Sequence, residues 1–399
     1  MENVSSLFGN DWASLNILLP LGISFFTFQQ IAYILDSYKG KTGTHTFLDY
    51  SLFVSFFPQL IAGPIVHWRE VMPQFDNLNE QKFNSDNFLK GLNIFILGFL
   101  KKVLIADNLA VVTNIIFNDT TTLDMTSSWL GGICFMFQIY FDFSAYSEMA
   151  IGSALMMNIR LPINFNSPYK ARNINDFWSR WHITLTRWFF QYTFLPLTSL
   201  WASKHNLQSG LSLGVLSRVT LIIFLLSGLW HGAEWTFVIW GLMHGLALVT
   251  FRFWQASKIS INALLSKSIT IVFLIFAAVV FRSNDMQSLE DFIFAMIGGH
   301  GIYHPDNFIS ENILFISIAF IVPTYIIYFM PNTLEIVGYE NIKQDSKEHY
   351  IAPFIKVKTR FMSMESNMYI SIVYAIIFSL SVINVMTADS PDAFIYFDF

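Results

Sequence analysis

Long runs of apolar residues recur along almost the whole chain, separated by short polar connections. A helix needs about 20 apolar residues to cross the hydrocarbon core of a bilayer. Runs of about that length lie at Leu15–Leu35, Gly91–Phe117, Trp129–Met157, Leu211–Trp230, Trp235–Trp254, Ile269–Phe281, Asn312–Met330 and Met368–Met386. Two shorter aromatic-rich pieces, Phe47–Ala62 and Ile183–Leu200, contain prolines and are more typical of interfacial or re-entrant segments. The pattern predicts an all-α polytopic membrane protein with about eight to ten embedded helices.

Composition supports this class. The chain is 54% hydrophobic and 13% charged, whereas about a quarter of the residues of a soluble domain are charged. A net charge of −5, spread over polar loops, argues against a nucleic-acid-binding protein, which requires a concentrated basic surface. The lone cysteine, Cys134, cannot form an intramolecular disulfide or a thiolate metal site. We find no internal repeat or linker, so residues 1–399 are interpreted as one membrane domain.

The distribution of basic residues predicts the orientation in the membrane. The polar connection from Asn158 to Arg187 has one acidic residue, Asp176, and five basic ones: Arg160, Lys170, Arg172, Arg180 and Arg187. By the positive-inside rule this connection faces the cytoplasm.

A proline-rich stretch interrupts the apolar pattern early in the chain. Pro58, Gly63 and Pro64 would leave backbone carbonyls exposed at membrane depth. Irregular backbone is tolerated there only where protein or a water-filled cavity covers it. We therefore expect protein or a water-filled cavity to cover this segment.

A histidine, His231, closes one apolar run between Trp230 and Gly232, just before another run begins at Trp235. An ionisable side chain at membrane depth is costly unless it faces a cavity, so it is a functional candidate by default. The alternative is a hydrogen-bonded core histidine that holds two helices together.

Two carboxylates, Asp142 and Glu148, also lie inside an apolar run. One interpretation is that they relay protons or anchor the polar groups of a tunnel through the protein. The other is that they pair with a basic residue such as Lys101 or Lys102.

The segment from Asn175 to Phe190 begins with helix-capping residues and sets Asp176 four residues before Arg180, a spacing typical of an ion pair. On one continuous helix, Asn175, Trp178 and His182 would share a face. His182 would then either contact a ligand or have a structural role in capping or at the interface.

Other histidines are weaker candidates. His244 follows His231 by thirteen residues, which on an unbroken helix is a rotation of about 220°, so we predict that the two point to different sides and that His244 is structural. His300 and His304 have the i,i+4 spacing of metal ligands, but glycines and Pro305 place them in a loop. We therefore predict no metal site.

Seven motifs follow one another in the order in which they occur in a known family. They are Leu19–Gln29, Leu60–Ile65, Tyr140–Ser144, Asn164–Tyr169, Phe177–His182, Gly228–Ala233 and Phe394–Phe397. At these motifs the chain resembles the membrane-bound O-acyltransferases (MBOAT), and within them the bacterial branch that contains alginate O-acetyltransferase and the D-alanyl transferase of teichoic acids.

The resemblance implies an enzyme and assigns its site. It implies that His231 is the catalytic residue, a general base that accepts the proton of an attacking hydroxyl, as neutral imidazole can near neutral pH. It also implies that the embedded helices and re-entrant segments surround a tunnel, in which His231 lies and His182 is a second functional histidine. The side chains expected to line the tunnel beside them are those of Asp142, Asn175, Trp178, Arg180 and Trp230.

The resemblance also implies substrates and partners. Acetyl-CoA would enter from the cytoplasm, where its phosphates would meet the basic residues between Asn158 and Arg187, and no other cofactor is expected. The acetyl group would reach hydroxyls of an extracytoplasmic polysaccharide, such as alginate or another cell-envelope glycan. The chain would lie among lipids of the bacterial inner membrane and work with a separate periplasmic acetyltransferase or esterase-like protein.

The chain departs from this family's pattern at a few positions. Phe190-Gln191 stands where relatives have Arg-Asp, and Thr198-Ser199 stands where they have Gly-Gly. Both differences fall on the surface expected to face the acceptor and partner. Met1 lies just upstream of the first motif, whereas relatives have further apolar spans before it, so we expect a shortened N-terminus or a misplaced start.

A rival interpretation from another class is a transporter or scaffold, in which the same cavity binds a polar substrate without bond chemistry. Such a protein would also place histidines and an aspartate in the membrane. The family motifs and the lack of repeat symmetry favour the acyltransferase. Transfer of a labelled acetyl group separates the two interpretations.

Overall fold

A computed structural model describes residues 22–76, 83–204, 212–303, 307–341, 368–387 and 394–395. The secondary structure of this part of the chain is entirely helical, which confirms the predicted all-α class. The α-helices are α1 (Ile23–Tyr38), α2 (Phe47–Ser55), α3 (Phe57–Leu60), α4 (Trp68–Asp76), α5 (Ser85–Lys101), α6 (Asp107–Asn118), α7 (Met125–Met156), α8 (Ile174–Trp178), α9 (Ile183–Phe189), α10 (Leu195–Lys204), α11 (Leu213–His231), α12 (Trp235–Ala256), α13 (Ala263–Arg282), α14 (Met286–Met296), α15 (Asn307–Glu311), α16 (Ile313–Phe329), α17 (Thr333–Val337) and α18 (Met368–Thr387). Two π-helical turns (Lys102–Ala106 and Phe190–Phe194) and one 3₁₀ turn (Pro168–Lys170) join some of them.

Three helices of the described chain, α11, α12 and α13, are long and apolar enough to cross a membrane. They coincide with three of the apolar runs in the sequence. The run Gly91–Phe117 is interrupted by a π-helical turn between α5 and α6, and the run Trp129–Met157 lies almost entirely within α7. Leu15–Leu35 begins outside the described residues. The figure of about eight to ten embedded helices stays a prediction.

The pieces expected to be interfacial or re-entrant form several short helices. Phe47–Ala62 is divided between α2 and α3, because Phe56 has an extended backbone and Pro58, in the first turn of α3, has no N–H with which to continue a helix from α2. Ile183–Leu200 consists of α9, a π-helical turn and the start of α10. Neither piece forms one continuous crossing.

The centre of the protein is α7, a 32-residue helix that is buried over most of its length. Its first turn is capped by Asp124, whose side chain accepts the Ser127 N–H at 2.6 Å. Small residues allow α5 to pack closely against it: a Cβ added at Gly91 would lie 2.6 Å from the carbonyl oxygen of Gly152. Because α6 and α13 also pack on α7, this helix forms one wall of the interior.

The two carboxylates of α7 form buried ion pairs. Lys102 Nζ lies 2.8 Å from both Asp107 Oδ1 and Asp142 Oδ1, and Lys101 Nζ lies 2.7 Å from Glu148 Oε1. Pairing with Lys101 and Lys102, one of the two interpretations of these acids, is therefore what the structure shows. The π-helical turn that begins at Lys102 keeps both lysines directed at α7.

The close crossing of α11 and α12 depends on two glycines. A Cβ at Gly228 would lie 2.3 Å from the carbonyl oxygen of Phe237, and a Cβ at Gly241 would lie 2.3 Å from that of Phe224. Both obstacles are backbone atoms, so no side-chain rotation relieves them. These glycines hold the end of α11 beside the start of α12.

We expect Gly241→Val to prevent the two helices from packing and to reduce the amount of folded protein, because overpacking a tight contact costs about 1–3 kcal/mol or more. The measurement is membrane accumulation together with the thermal midpoint in detergent. Gly214→Val, on α11, is the matched control, since the nearest atom to its added Cβ is Ser212 Oγ at 3.8 Å. A Gly241→Val protein that melts like wild type would refute this account of the crossing.

Candidate active site

A cavity of about 590 Å³, its opening included, lies between α7 and the α8–α9 and α11–α13 segments. The lining is mostly aromatic and aliphatic: Phe135, Met136, Ile139, Tyr169, Phe177, Trp178, Trp181, His182, Leu185, Ser227, His231, Trp240, His244, Leu274, Ala277, Ala278 and Phe281. Three histidines therefore share one largely apolar cavity.

His182 is held rigidly in the cavity wall. Its backbone has φ 42° and ψ 52°, a left-handed conformation that is uncommon outside glycine and typical of constrained positions. The side chain is 1% exposed, and Nδ1 lies 3.1 Å from Asn164 Oδ1, which also accepts from Thr184 Oγ1 at 2.9 Å. Since Asn164 Oδ1 can only accept, we assign the proton to Nδ1.

The other ring nitrogen of His182, Nε2, is then a hydrogen-bond acceptor. It is fully buried, and no partner for it lies in the described residues. A buried polar atom without a partner is unusual in a folded protein and points to a missing ligand or water. This atom is the clearest sign that the cavity binds something.

His231 is the last residue of α11 and is 7% exposed. Three aromatic rings surround its imidazole, with centroids at 4.6 Å (Trp230), 5.1 Å (Trp240) and 5.0 Å (Phe281). Such an apolar enclosure excludes water and favours the neutral ring, the form that can accept a proton.

The prediction that His244 points away from His231 is wrong. His244 lines the same cavity, with its ring 5.0 Å from that of Trp178 and 4.7 Å from that of Trp240. The rotation of about 220° assumed an unbroken helix, but α11 ends at His231 and α12 begins only at Trp235. A turn between the helices brings both histidines onto one side.

The prediction that Asn175, Trp178 and His182 share one helical face is also wrong. α8 ends at Trp178, and the backbone of His182 is left-handed. Trp178 and His182 reach the cavity, and Trp178 Nε1 has no partner among the described groups. Asn175 is exposed, so the structure does not bring it into the site.

The predicted ion pair between Asp176 and Arg180 is confirmed, with 2.7 Å between Oδ1 and Nε. Arg180 Nη1 also donates to the carbonyl oxygen of Asn166 at 3.3 Å. The Arg180 side chain does not contribute to the lining, but its neighbour Trp181 does.

Trp230 and Asp142 are not part of the cavity lining. The Trp230 ring packs 4.6 Å from that of His231 and 6.5 Å from that of His182, so it supports both histidines. Asp142 forms an ion pair with Lys102 through Oδ1, and its Oδ2 accepts the backbone N–H of Ile395 at 2.9 Å. Both residues are close to the site without lining it.

Two polar residues of the site, Ser227 and Asn164, were not predicted from the sequence. Ser227 lines the cavity one turn before His231, and the i,i+4 spacing could have revealed it. Asn164, which orients His182, lies eighteen residues before it and gives no local signal.

In the described part of the chain, no three residues of His, Cys, Asp or Glu form a group suited to a metal. His300 Nδ1 hydrogen-bonds with the carbonyl oxygen of Leu123 at 3.1 Å. His304, the other half of the weak metal motif, lies outside the described residues.

Comparison with known proteins agrees with this architecture. The model of the membrane-bound O-acyltransferase family matches residues 36–282, which include all three cavity histidines. The chain therefore belongs to the membrane-bound O-acyltransferase family. A peptidoglycan O-acetyltransferase of Helicobacter pylori is 40% identical over 363 residues, which cover 82% of this chain and 67% of the relative.

Two further relatives are more distant or shorter in overlap. A probable alginate O-acetylase of Pseudomonas aeruginosa is 40% identical over 281 residues, 68% of this chain and 50% of the relative. A teichoic acid D-alanyltransferase of Bacillus subtilis is 29% identical over 245 residues, 60% of each chain. The chain thus spans about half the length of the alginate relative and two thirds of the peptidoglycan one.

Proposed function

We propose that this protein is a membrane O-acyltransferase that moves an acetyl group from a cytoplasmic thioester, acetyl-CoA, towards hydroxyls of an extracytoplasmic polysaccharide. Alginate or another cell-envelope glycan is the eventual acceptor. Family membership and relatives named for O-acetylation support the reaction class. The observation that carries the proposal is the buried cavity in which His231 faces the same space as the unpartnered Nε2 of His182.

The transfer forms one ester bond and breaks one thioester bond. The acceptor oxygen attacks the thioester carbonyl while His231 takes its proton, and the proton then passes to the leaving thiolate of coenzyme A. The apolar enclosure keeps water from competing for the acetyl group. Atoms and charge balance without a further reagent.

His182 has a different role in this scheme. With its proton held on Nδ1 by Asn164, its Nε2 can only accept. We assign Nε2 as the acceptor of a hydrogen bond from an amide N–H of the pantetheine arm. This bond would fix the arm relative to His231. It therefore acts in donor positioning.

In this proposal the protein lies in a bacterial inner membrane. The donor enters the cavity from the side of the basic connection between Asn158 and Arg187. A separate periplasmic acetyltransferase or esterase-like protein completes delivery to the polymer. The bacterial relatives named for alginate and teichoic acid support a cell-envelope acceptor.

The orientation can be tested by cysteine labelling in a Cys134→Ala background. α7 is 32 residues long, or about 48 Å, which is longer than a hydrocarbon core of about 30 Å. The proposed topology places its two ends on opposite sides of the membrane. We expect Asn175→Cys, which is exposed, to resist an impermeant thiol reagent added outside intact cells. Thr122→Cys, exposed at the other end of α7, should react and serves as the control. The reverse labelling pattern would invert the topology.

The function is tested by incubating the purified protein with acetyl-labelled acetyl-CoA and an oligosaccharide or simple alcohol. We expect labelled ester and free coenzyme A in equal amounts. A transporter or scaffold would leave the thioester intact.

A further inference from the structure

Acyl transfer at His231 places negative charge on the carbonyl oxygen of the donor. As the acceptor hydroxyl attacks the thioester, this oxygen becomes an oxyanion, and enzymes that catalyse such reactions place hydrogen-bond donors beside it. No lysine or arginine is part of the described cavity lining. The candidate donors are therefore the neutral N–H and O–H groups of the lining.

Two of these donors are already used within the protein. The N–H at His182 Nδ1 faces Asn164 Oδ1 at 3.1 Å, and the remaining ring nitrogen can only accept. The Tyr169 hydroxyl donates to the carbonyl oxygen of Met136. Trp181 packs on the same tyrosine, with 6.4 Å between ring centroids, and therefore lies by α7 and not by α11.

Trp178 and His244 lie further along the cavity. Their ring centroids are 5.0 Å apart, and that of Trp178 lies 5.0 Å from that of Phe224. Phe224 precedes His231 by seven residues on α11, or about 10 Å along the helix axis. These two side chains are therefore too far from His231 to bind an oxygen on the carbon that is attacked there.

The hydroxyl of Ser227 is close to His231 and is not used by the protein. Ser227 lies on α11 one turn before His231, lines the cavity and is 5% exposed. Its hydroxyl has no hydrogen bond to any residue that the structure describes. By contrast, Ser217 and Thr220 of the same helix donate to the backbone carbonyl four residues earlier, at 2.7 and 2.8 Å. The Ser227 hydroxyl is therefore available to a ligand.

The spacing of Ser227 and His231 fits the two oxygens of a tetrahedral intermediate. Side chains four residues apart on a helix have Cβ atoms about 5–6 Å apart. In the intermediate, the incoming oxygen and the carbonyl oxygen are bonded to one carbon, and each needs its partner at about 2.6–3.2 Å. A base and a hydroxyl on adjacent turns can reach both oxygens at once.

The backbone at Ser227 is held in place by the crossing of α11 and α12. At the next residue, Gly228, an added Cβ would lie only 2.3 Å from the carbonyl oxygen of Phe237, so the two backbones are in direct contact. A donor that is fixed before the reaction costs little reorganisation when charge develops. The apolar lining also strengthens any hydrogen bond made there.

We propose that the Ser227 hydroxyl is a catalytic hydrogen-bond donor to the carbonyl oxygen of the thioester. This inference rests on the proposed function. His231 takes the proton of the acceptor hydroxyl while Ser227 holds the oxyanion. When the intermediate collapses, the C–S bond breaks, the thiolate leaves with the proton from His231, and the oxyanion becomes the ester carbonyl. Ser227 keeps its proton and forms no covalent bond.

The kinetic test compares Ser227→Ala with wild type. We expect kcat to fall by about 10²-fold, as for the loss of one oxyanion donor. KM for acetyl-CoA should not change, because this hydrogen bond strengthens only as charge develops. Ser227→Thr keeps the hydroxyl and should recover most of the rate. An unchanged kcat in Ser227→Ala, or an equal loss in folded Ser227→Thr, would overturn the proposal.

The matched control is Ser217→Ala on the same helix, which should have the kcat of wild type. Its hydroxyl is bonded to the backbone and does not line the cavity. A loss of rate in Ser217→Ala equal to that in Ser227→Ala would mean that the effect comes from α11 as a whole, and would overturn the proposal.

Two rival roles make different predictions. Trp240, whose ring centroid lies 5.1 Å from that of His231, has the other N–H donor beside the base. Loss of transfer in Trp240→Phe with none in Ser227→Ala would assign the oxyanion to the indole. Label that stays on wild type before acceptor is added, and is absent from Ser227→Ala, would make Ser227 a nucleophile. Either result would overturn the proposal.

Infrared spectroscopy tests the hydrogen bond without turnover. His231→Gln is expected to bind acetyl-CoA labelled with a heavy isotope at the carbonyl carbon and not to transfer it. The C=O stretching frequency of the bound thioester should be lower in His231→Gln than in the double variant Ser227→Ala/His231→Gln, because a hydrogen bond weakens the C=O bond. Equal frequencies would reject the role of Ser227 and leave the proposed function standing. The expected shift, with no ester formed by wild type, would reject the proposed function alone.

Discussion

Replacing His231 with alanine is expected to lower the rate of acetyl transfer by about 10²–10⁴-fold, the usual consequence of losing a general acid–base group. The imidazole is enclosed by Trp230, Trp240 and Phe281, and no bulk water can take over its role there. The measurement is the initial rate of ester formation from labelled acetyl-CoA. Coenzyme A binding should persist, because His182, and not His231, positions the donor in the proposed scheme.

His231→Gln is the control for size and polarity. An amide keeps a hydrogen-bonding side chain but cannot accept a proton at neutral pH. The same thermal midpoint as wild type, with transfer reduced as far as in His231→Ala, would attribute the loss to chemistry. Near-normal transfer by His231→Gln would mean that the residue is structural.

The second large effect is expected at His182. His182→Ala removes the buried acceptor Nε2, so we expect a KM for acetyl-CoA raised by about tenfold or more, and a deficit in rate that shrinks as donor concentration rises. The measurement is the dependence of transfer rate on donor concentration. A loss that stays constant at saturating donor would instead place His182 in the chemical step.

A matched substitution outside the cavity tests whether the effect of His182→Ala is specific to the cavity. His300→Ala makes the same chemical change at an exposed position in a loop. It should leave both KM and kcat unchanged. A comparable defect in His300→Ala would mean that loss of any histidine destabilises the protein.

The sequence was enough to predict the class of fold and its most reliable spans. Runs of apolar residues identify α11, α12 and α13 because each is both long and nearly free of charge. The sequence was less informative where an apolar run is interrupted by local geometry. The π-helical turn at Lys102–Ala106 divides one such run, and nothing in the residue pattern marks that division.

The sequence pattern reveals a site residue where an ionisable side chain lies among apolar ones. His231 stands out as an ionisable group between apolar helices, and the structure places it in the cavity. His244 was misjudged because helical periodicity holds only along a continuous helix, and three residues separate α11 from α12. Asn175 was misjudged for the same reason, because α8 ends at Trp178 and Asn175 and His182 therefore do not lie on one helical face.

Contacts between distant segments lie beyond any local pattern. Asn164 orients His182, and Phe143 of α7 packs against the His182 ring. Each partner looks unremarkable in its own segment. Only tertiary packing brings these groups together at the cavity wall.

Acyl transfer in the cavity with His231 as the base can be followed through both products. The most direct measurement is release of coenzyme A from acetyl-CoA, followed together with ester formation, by purified wild type and by His231→Gln. We predict that wild type releases coenzyme A in step with ester formation and that His231→Gln, folded and able to bind coenzyme A, releases almost none. Intact acetyl-CoA after incubation with wild type, or equal release by the two proteins, would contradict it.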